Sequence, residues 1–81
     1  MKENSKWEIS TQSGSKYKVY RTPEGEWLID FRGELKKIIS FGGIAIENLL
    51  TLNQKVIGKP IFFLNGKNVG QTTPIKTINK L

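Results

Sequence analysis

The sequence predicts a mainly β chain, folded as one small antiparallel barrel or roll. Three observations carry this reading. Three segments in the first half alternate apolar and polar residues with a period of two. Clusters of Gly, Pro, Asn and Ser separate the segments at about ten-residue spacing. A continuous apolar run, Ile61-Phe62-Phe63-Leu64, stands directly before an Asn-Gly dipeptide, as expected of a buried strand entering a hairpin.

The elements follow in order. Lys6 to Thr11 places Trp7, Ile9 and Thr11 on one face, and Gln12-Ser13-Gly14-Ser15 turns the chain. Lys16 to Arg21 places Tyr17 and Val19 on one side and Lys16, Lys18 and Tyr20 on the other. Thr22-Pro23-Glu24-Gly25 is the second turn, with Pro favouring a φ near −65° and Gly permitting a positive φ. Glu26 to Arg32 aligns Trp27, Ile29 and Phe31. Gly33-Glu34 reads as a turn, and Leu35 to Phe41 as a fourth strand broken by Gly42-Gly43. Ile44 to Asn53 fits a short helical turn or a strand, and is expected to close one end of a barrel. Beyond Gly58-Lys59-Pro60 come the apolar run, a type I′ hairpin at Asn65-Gly66, a return strand to Thr73 and a last strand from Ile75. Pro74 lacks an N–H and marks an edge or bulge. The total is six to seven short strands with at most one short helix, matching SH3-like or OB-like barrels in size.

The 81 residues carry a net charge of +6, unevenly spread. Residues 1–48 hold all seven acids and eight basic side chains, whereas residues 49–81 hold Lys55, Lys59, Lys67, Lys76 and Lys80 and no acid. A one-signed segment attracts anions, although a few excess lysines also simply keep a small domain in solution. A homo-oligomer would help so small a core, and the aliphatic residues from Ile38 to Leu50 would supply either a core lid or a dimer interface.

Several function classes are disfavoured. The chain has no Cys and no His, so thiolate or imidazole metal sites, disulfides and Ser–His or Cys–His dyads are excluded. The nearest carboxylates, Glu24 with Glu26 and Glu26 with Asp30, read as surface charge on a meander. No enzyme and no cofactor is expected. No membrane partner is expected, the longest apolar run being far short of the ~20 residues of a spanning helix. The N-terminal residues lack the apolar stretch of a signal peptide, so a cytoplasmic location is the expectation.

Two binding constellations remain. In the C-terminal hairpin, Gly70 would let backbone N–H groups approach an anion, Lys67 adds charge, and Asn68, Thr72 and Thr73 add polar side chains. It is not a P-loop, and an Asn-Gly hairpin is also often polar only because it faces water. In the second, Lys16, Lys18 and Tyr20 share one strand face, where a ring beside lysines would stack a base while the lysines meet phosphates. Trp27 is a further candidate for base stacking, against the alternative that both Trp residues form the core.

Two separated stretches resemble a known pattern. Thr11-Gln12-Ser13-Gly14-Ser15-Lys16-Tyr17 matches a T-x-S-G-S-x-Y opening, and Gly58-Lys59-Pro60 with Thr72-Thr73-Pro74-Ile75 and Ile78 matches a G-x-P … T-T-P-I closing. The chain thereby resembles small β-rich proteins of phages and some bacteria. The resemblance implies a small β fold and a phage-type role against host machinery, such as sequestering a nucleotide immune signal, and carries no catalytic residue. The expected partner is an anionic nucleotide or a nucleic acid, single-stranded DNA or RNA included. An acidic host protein is the remaining class.

Overall fold

The computed structural model describes residues 5–81, with Asn48 placed by its backbone alone. The N-terminal segment read for a signal peptide lies almost wholly outside the described residues. Among the described residues eight strands form: β1 (Ser5–Thr11), β2 (Lys16–Arg21), β3 (Trp27–Phe31), β4 (Glu34–Phe41), β5 (Ile44–Ala45), β6 (Ile61–Asn65), β7 (Asn68–Gln71) and β8 (Ile75–Lys80). The strand beyond the expected number is the two-residue β5, a short hairpin return on β4. All pairings are antiparallel, in the order β7-β6-β4-β3-β2-β1-β8. The sheet curls into a half-barrel with β7 and β8 as its two ends.

Period-two alternation sets the inner face. Trp7 and Ile9 of β1, Val19 of β2, and Trp27 and Ile29 of β3 are buried together with Ile38, Phe41, Ile61, Phe63 and Ile75. Trp27 is wholly enclosed, packed 5.3 Å from Trp7 and edge-on to Phe41 at 5.7 Å, centroid to centroid. The guanidinium of Arg21 lies 5.7 Å from the Trp27 ring centroid. Large rings in offset and edge contacts dominate a core this small.

Ile44 to Asn53 packs most of its apolar residues against the core. The segment forms β5, a single 3-10 turn (Ile46–Asn48) and a loop that sends Leu49 and Leu52 inward. A second 3-10 turn (Gln54–Val56) buries Val56, and the Asn53 side chain caps it by accepting from the Lys55 amide at 2.8 Å. Ile38, Phe41 and Leu49 thus belong to the core, while Ile39 and Leu50 stay exposed.

Three local features differ from the sequence reading. Phe31 pairs with Glu34, so the β3–β4 turn is Arg32-Gly33, one residue earlier than expected. Asn65 pairs with Asn68, so the β6–β7 turn is Gly66-Lys67. Gly66 has φ 66° and Lys67 does not share a positive φ, which is the II′ pattern rather than I′. In β8 the register shifts after Ile75, so Ile75 and Ile78 both face inward although they are three residues apart. That irregularity follows Pro74, as the missing N–H predicts.

Candidate ligand-binding face

Cross-strand register builds the outer face. Lys6 pairs with Tyr20, Tyr20 with Leu28 and Leu28 with Lys37, which makes one row across four strands. Lys18 lies opposite Glu8, and Lys16 opposite Ser10. Lys16 and Lys18 are exposed and Tyr20 is half-buried, with the Lys6 ammonium 5.9 Å from its ring centroid. The strand face expected from Lys16, Lys18 and Tyr20 is therefore present, and it is extended by Lys6 and Lys37.

At the turn end of this face lies an open cleft of about 590 Å³. Ser15, Lys16, Tyr17 and Lys18 line it from β2, Glu8 from β1, and Asp30, Phe31 and Arg32 from β3 and its turn. Tyr17 and Phe31 are half-buried and stacked, with centroids 6.1 Å apart and planes 17° apart. The Arg32 guanidinium sits 5.2 Å from the Phe31 centroid. Lys16 and Lys18 project from the outer face of β2, whereas the Tyr17 and Phe31 rings pack against the core, with Phe31 5.0 Å from Phe63, and of the three cations Arg32 is the one set over a ring. Among the described residues the one ion pair is Lys36–Glu34 at 2.7 Å, so none of the three is salt-bridged. The two acids moderate the field, and Asp30 already accepts the Gly33 amide at 3.0 Å.

Arg32 holds a φ of 55°, the left-handed region that β-carbon-bearing residues avoid. A two-residue hairpin loop of the I′ kind requires positive φ at both central positions, and Gly33 supplies the other. The turn therefore places a strained arginine at the rim of the cleft. Sequence reasoning missed Arg32, which was hidden because the turn was placed one residue late. Alternation assigned Tyr17 and Phe31 inward, and both pack against the core.

The C-terminal hairpin does not assemble the expected phosphate cradle. Thr72 is buried; its hydroxyl accepts from the Ile61 amide at 3.0 Å and donates to the Thr73 carbonyl at 2.8 Å. Thr73 donates to Ser13 Oγ at 3.0 Å. A Cβ on Gly70 would meet the Phe63 ring at 2.5 Å, so this glycine makes room for a core side chain rather than for an anion. Lys67 and Asn68 are exposed at the turn. Since β6 runs antiparallel to β4, that turn projects toward the Glu34 end of β4, about two strand spacings (~10 Å) from Arg32-Gly33. Trp27 is a second correction: with no exposed ring it presents nothing for a base to stack on.

The two motif stretches meet in space. Thr73 bonds Ser13, and the Gln12 amide donates to the Pro74 carbonyl at 2.9 Å. Thr11, Ser13 and Ser15 link their hydroxyls at 3.1 and 3.3 Å. Their polar side chains therefore tie the β1–β2 turn to the entry of β8. Among the described residues no helix is long and apolar enough to cross a membrane, and no cluster of three potential metal ligands occurs. No family model matches the chain, and no curated protein or solved structure is significantly similar to it.

Proposed function

We propose that this chain is a non-enzymatic binding module for a phosphate-bearing ligand, and that the ligand is a single-stranded nucleic acid laid across β1 to β3. The observation that carries the reading is the grouping of Lys16, Lys18 and Arg32 along one cleft, beside the outer-face row in which Lys6 stands over the half-buried Tyr20 ring. Cations beside an aromatic platform bind single strands in a sequence-tolerant way: stacking contributes ~1–3 kcal/mol per base, and the cations replace the counterions of the phosphates. Lys6 and Lys37 continue the basic surface along the row through Tyr20, and Lys67 flanks it at the neighbouring turn. A small nucleotide caged by the C-terminal hairpin is disfavoured, because Thr72 and Thr73 are engaged internally and Trp27 is enclosed.

The test is fluorescence anisotropy with a labelled short oligothymidylate at low salt. The double variant Lys16→Glu/Lys18→Glu alters two exposed side chains, so the fold survives. Affinity is expected to fall on the order of tenfold or more. Undiminished affinity in that variant, or no binding by the parent chain, removes the reading.

A further inference from the structure

A second cleft, of about 470 Å³, lies on the far side of the β1–β8 pair. Trp7, Leu52, Ile57 and Ile78 give it an apolar floor, and Asn53, Gln54 and Lys80 are among its polar lining. None of these residues belongs to the cleft of Lys16 and Arg32.

One wall of this cleft is an open strand edge. Among the described residues β8 ends the strand order and pairs only with β1. The Leu81 amide donates to the Lys6 carbonyl at 3.0 Å, which fixes the phase of the ladder. Antiparallel alternation then turns the main-chain groups of Asn79 and Thr77 toward β1 and those of Ile78 and Lys80 away from it. The chain itself covers only the start of this edge. The Gly58 amide donates to the Ile75 carbonyl at 2.8 Å, and the Ile75 amide to the Lys59 carbonyl at 2.9 Å. Past Ile75 the segment from Leu52 to Ile57 stands across the cleft.

We infer that this cleft takes an extended acidic peptide, which adds as a strand to the Ile78–Lys80 edge of β8. Three independent features define the occupant. Outward N–H and C=O groups at alternate residues are the main-chain half of strand addition. The apolar floor of Trp7, Leu52, Ile57 and Ile78 receives every second side chain of such a strand. The charge is one-signed: Lys55, Lys59, Lys76 and Lys80 lie on the segments that form or flank the cleft, and residues 49–81 contain no acid. The Lys80 ammonium, 5.2 Å from the Trp7 centroid, stands over the floor where an acidic side chain of the peptide would reach it. The inference is independent of the nucleic-acid reading, since it uses different residues.

The experiment titrates a ¹⁵N-labelled chain with a short peptide of alternating valine and glutamate, with alternating valine and lysine as the control. Expected are saturable shifts at Trp7, Ile57, Ile78 and Lys80, slowed exchange of the Ile78 and Lys80 amides, and binding on the order of tenfold weaker for the lysine peptide. Lys80→Pro removes an outward N–H without touching the β1 ladder and should abolish the protection; Lys80→Glu keeps the N–H and should weaken only the acidic peptide. Should the proline variant fail to fold, the charge-reversal variant still decides. Shifts confined to β7 or to the Lys16–Arg32 cleft, equal affinity for both peptides, or self-association through this edge without peptide binding would each overturn the proposal. Loss of oligothymidylate binding bears on the other face alone.

Discussion

Arg32 makes two opposed contributions that substitution can separate. Its φ of 55° costs on the order of 1 kcal/mol for a residue with a β-carbon. Its guanidinium over Phe31 returns about 0.5–1 kcal/mol at an exposed site. Arg32→Ala removes the guanidinium and keeps the backbone strain. Arg32→Asn removes the guanidinium too, but introduces the residue that best tolerates this turn position before glycine. The difference between these two variants isolates the backbone term, about 1 kcal/mol, or ~4–8 °C in Tm for a domain of this size. The difference between the parent and Arg32→Ala isolates the cation–aromatic contact. Thermal unfolding followed by circular dichroism gives both values, and oligothymidylate binding is measured on the same samples. The expected pattern is that Arg32→Asn melts above Arg32→Ala while both bind equally weakly. The reasoning fails if Arg32→Ala melts as high as Arg32→Asn. It fails separately, at the site, if both variants bind like the parent.

Other expected outcomes test single contacts. Thr72→Val leaves the Ile61 amide without its buried acceptor, and should destabilise by about 1–3 kcal/mol in urea unfolding while the folded chain binds oligonucleotide as before. Gly70→Ala drives a Cβ into the Phe63 ring and should cost about 1–3 kcal/mol; a neutral result would mean that Phe63 has room to move. Trp27→Phe should lower Tm without changing oligonucleotide affinity, because the ring is enclosed; a loss of affinity at equal folded fraction would return Trp27 to the site. The Lys36 ammonium hydrogen-bonds the Glu34 carboxylate and holds its pKa below the ordinary value. The pair's contribution is therefore present above the ordinary carboxylate pKa and is lost as pH falls through the lowered one. An NMR titration should show the Glu34 pKa rising in Lys36→Met, and an unmoved titration would remove the pair.

The meander was legible because each of its strands has one buried face, which forces alternation into the sequence. Trp27 sits in phase with Ile29 and Phe31, so its burial was readable even though a binding role was also open to it. Thr72 was not readable. Its burial comes with a bond to Ile61, its cross-strand neighbour at the base of the β6–β7 hairpin, and nothing among its sequence neighbours announces that contact. Arg32 was obscured by its own strain, since arginine is an unusual occupant of a positive-φ turn. The Lys16–Lys18–Tyr20 face follows from alternation alone. The aromatic pair beneath it required knowing that Tyr17 and Phe31 meet across adjacent strands. The edge of β8 required the strand order, which local periodicity does not encode.

The salt dependence of oligothymidylate binding tests the central claim most directly. For a single strand, log Kobs should fall linearly with log salt, with a slope of about −0.7 for each phosphate neutralised. Neutralising Lys16, Lys18 and Arg32 together, each to glutamine, should flatten that slope by about 2 while lowering Tm only by the few degrees of the lost Arg32–Phe31 contact. A parent slope near zero, or a slope unchanged in the triple variant, would contradict the account.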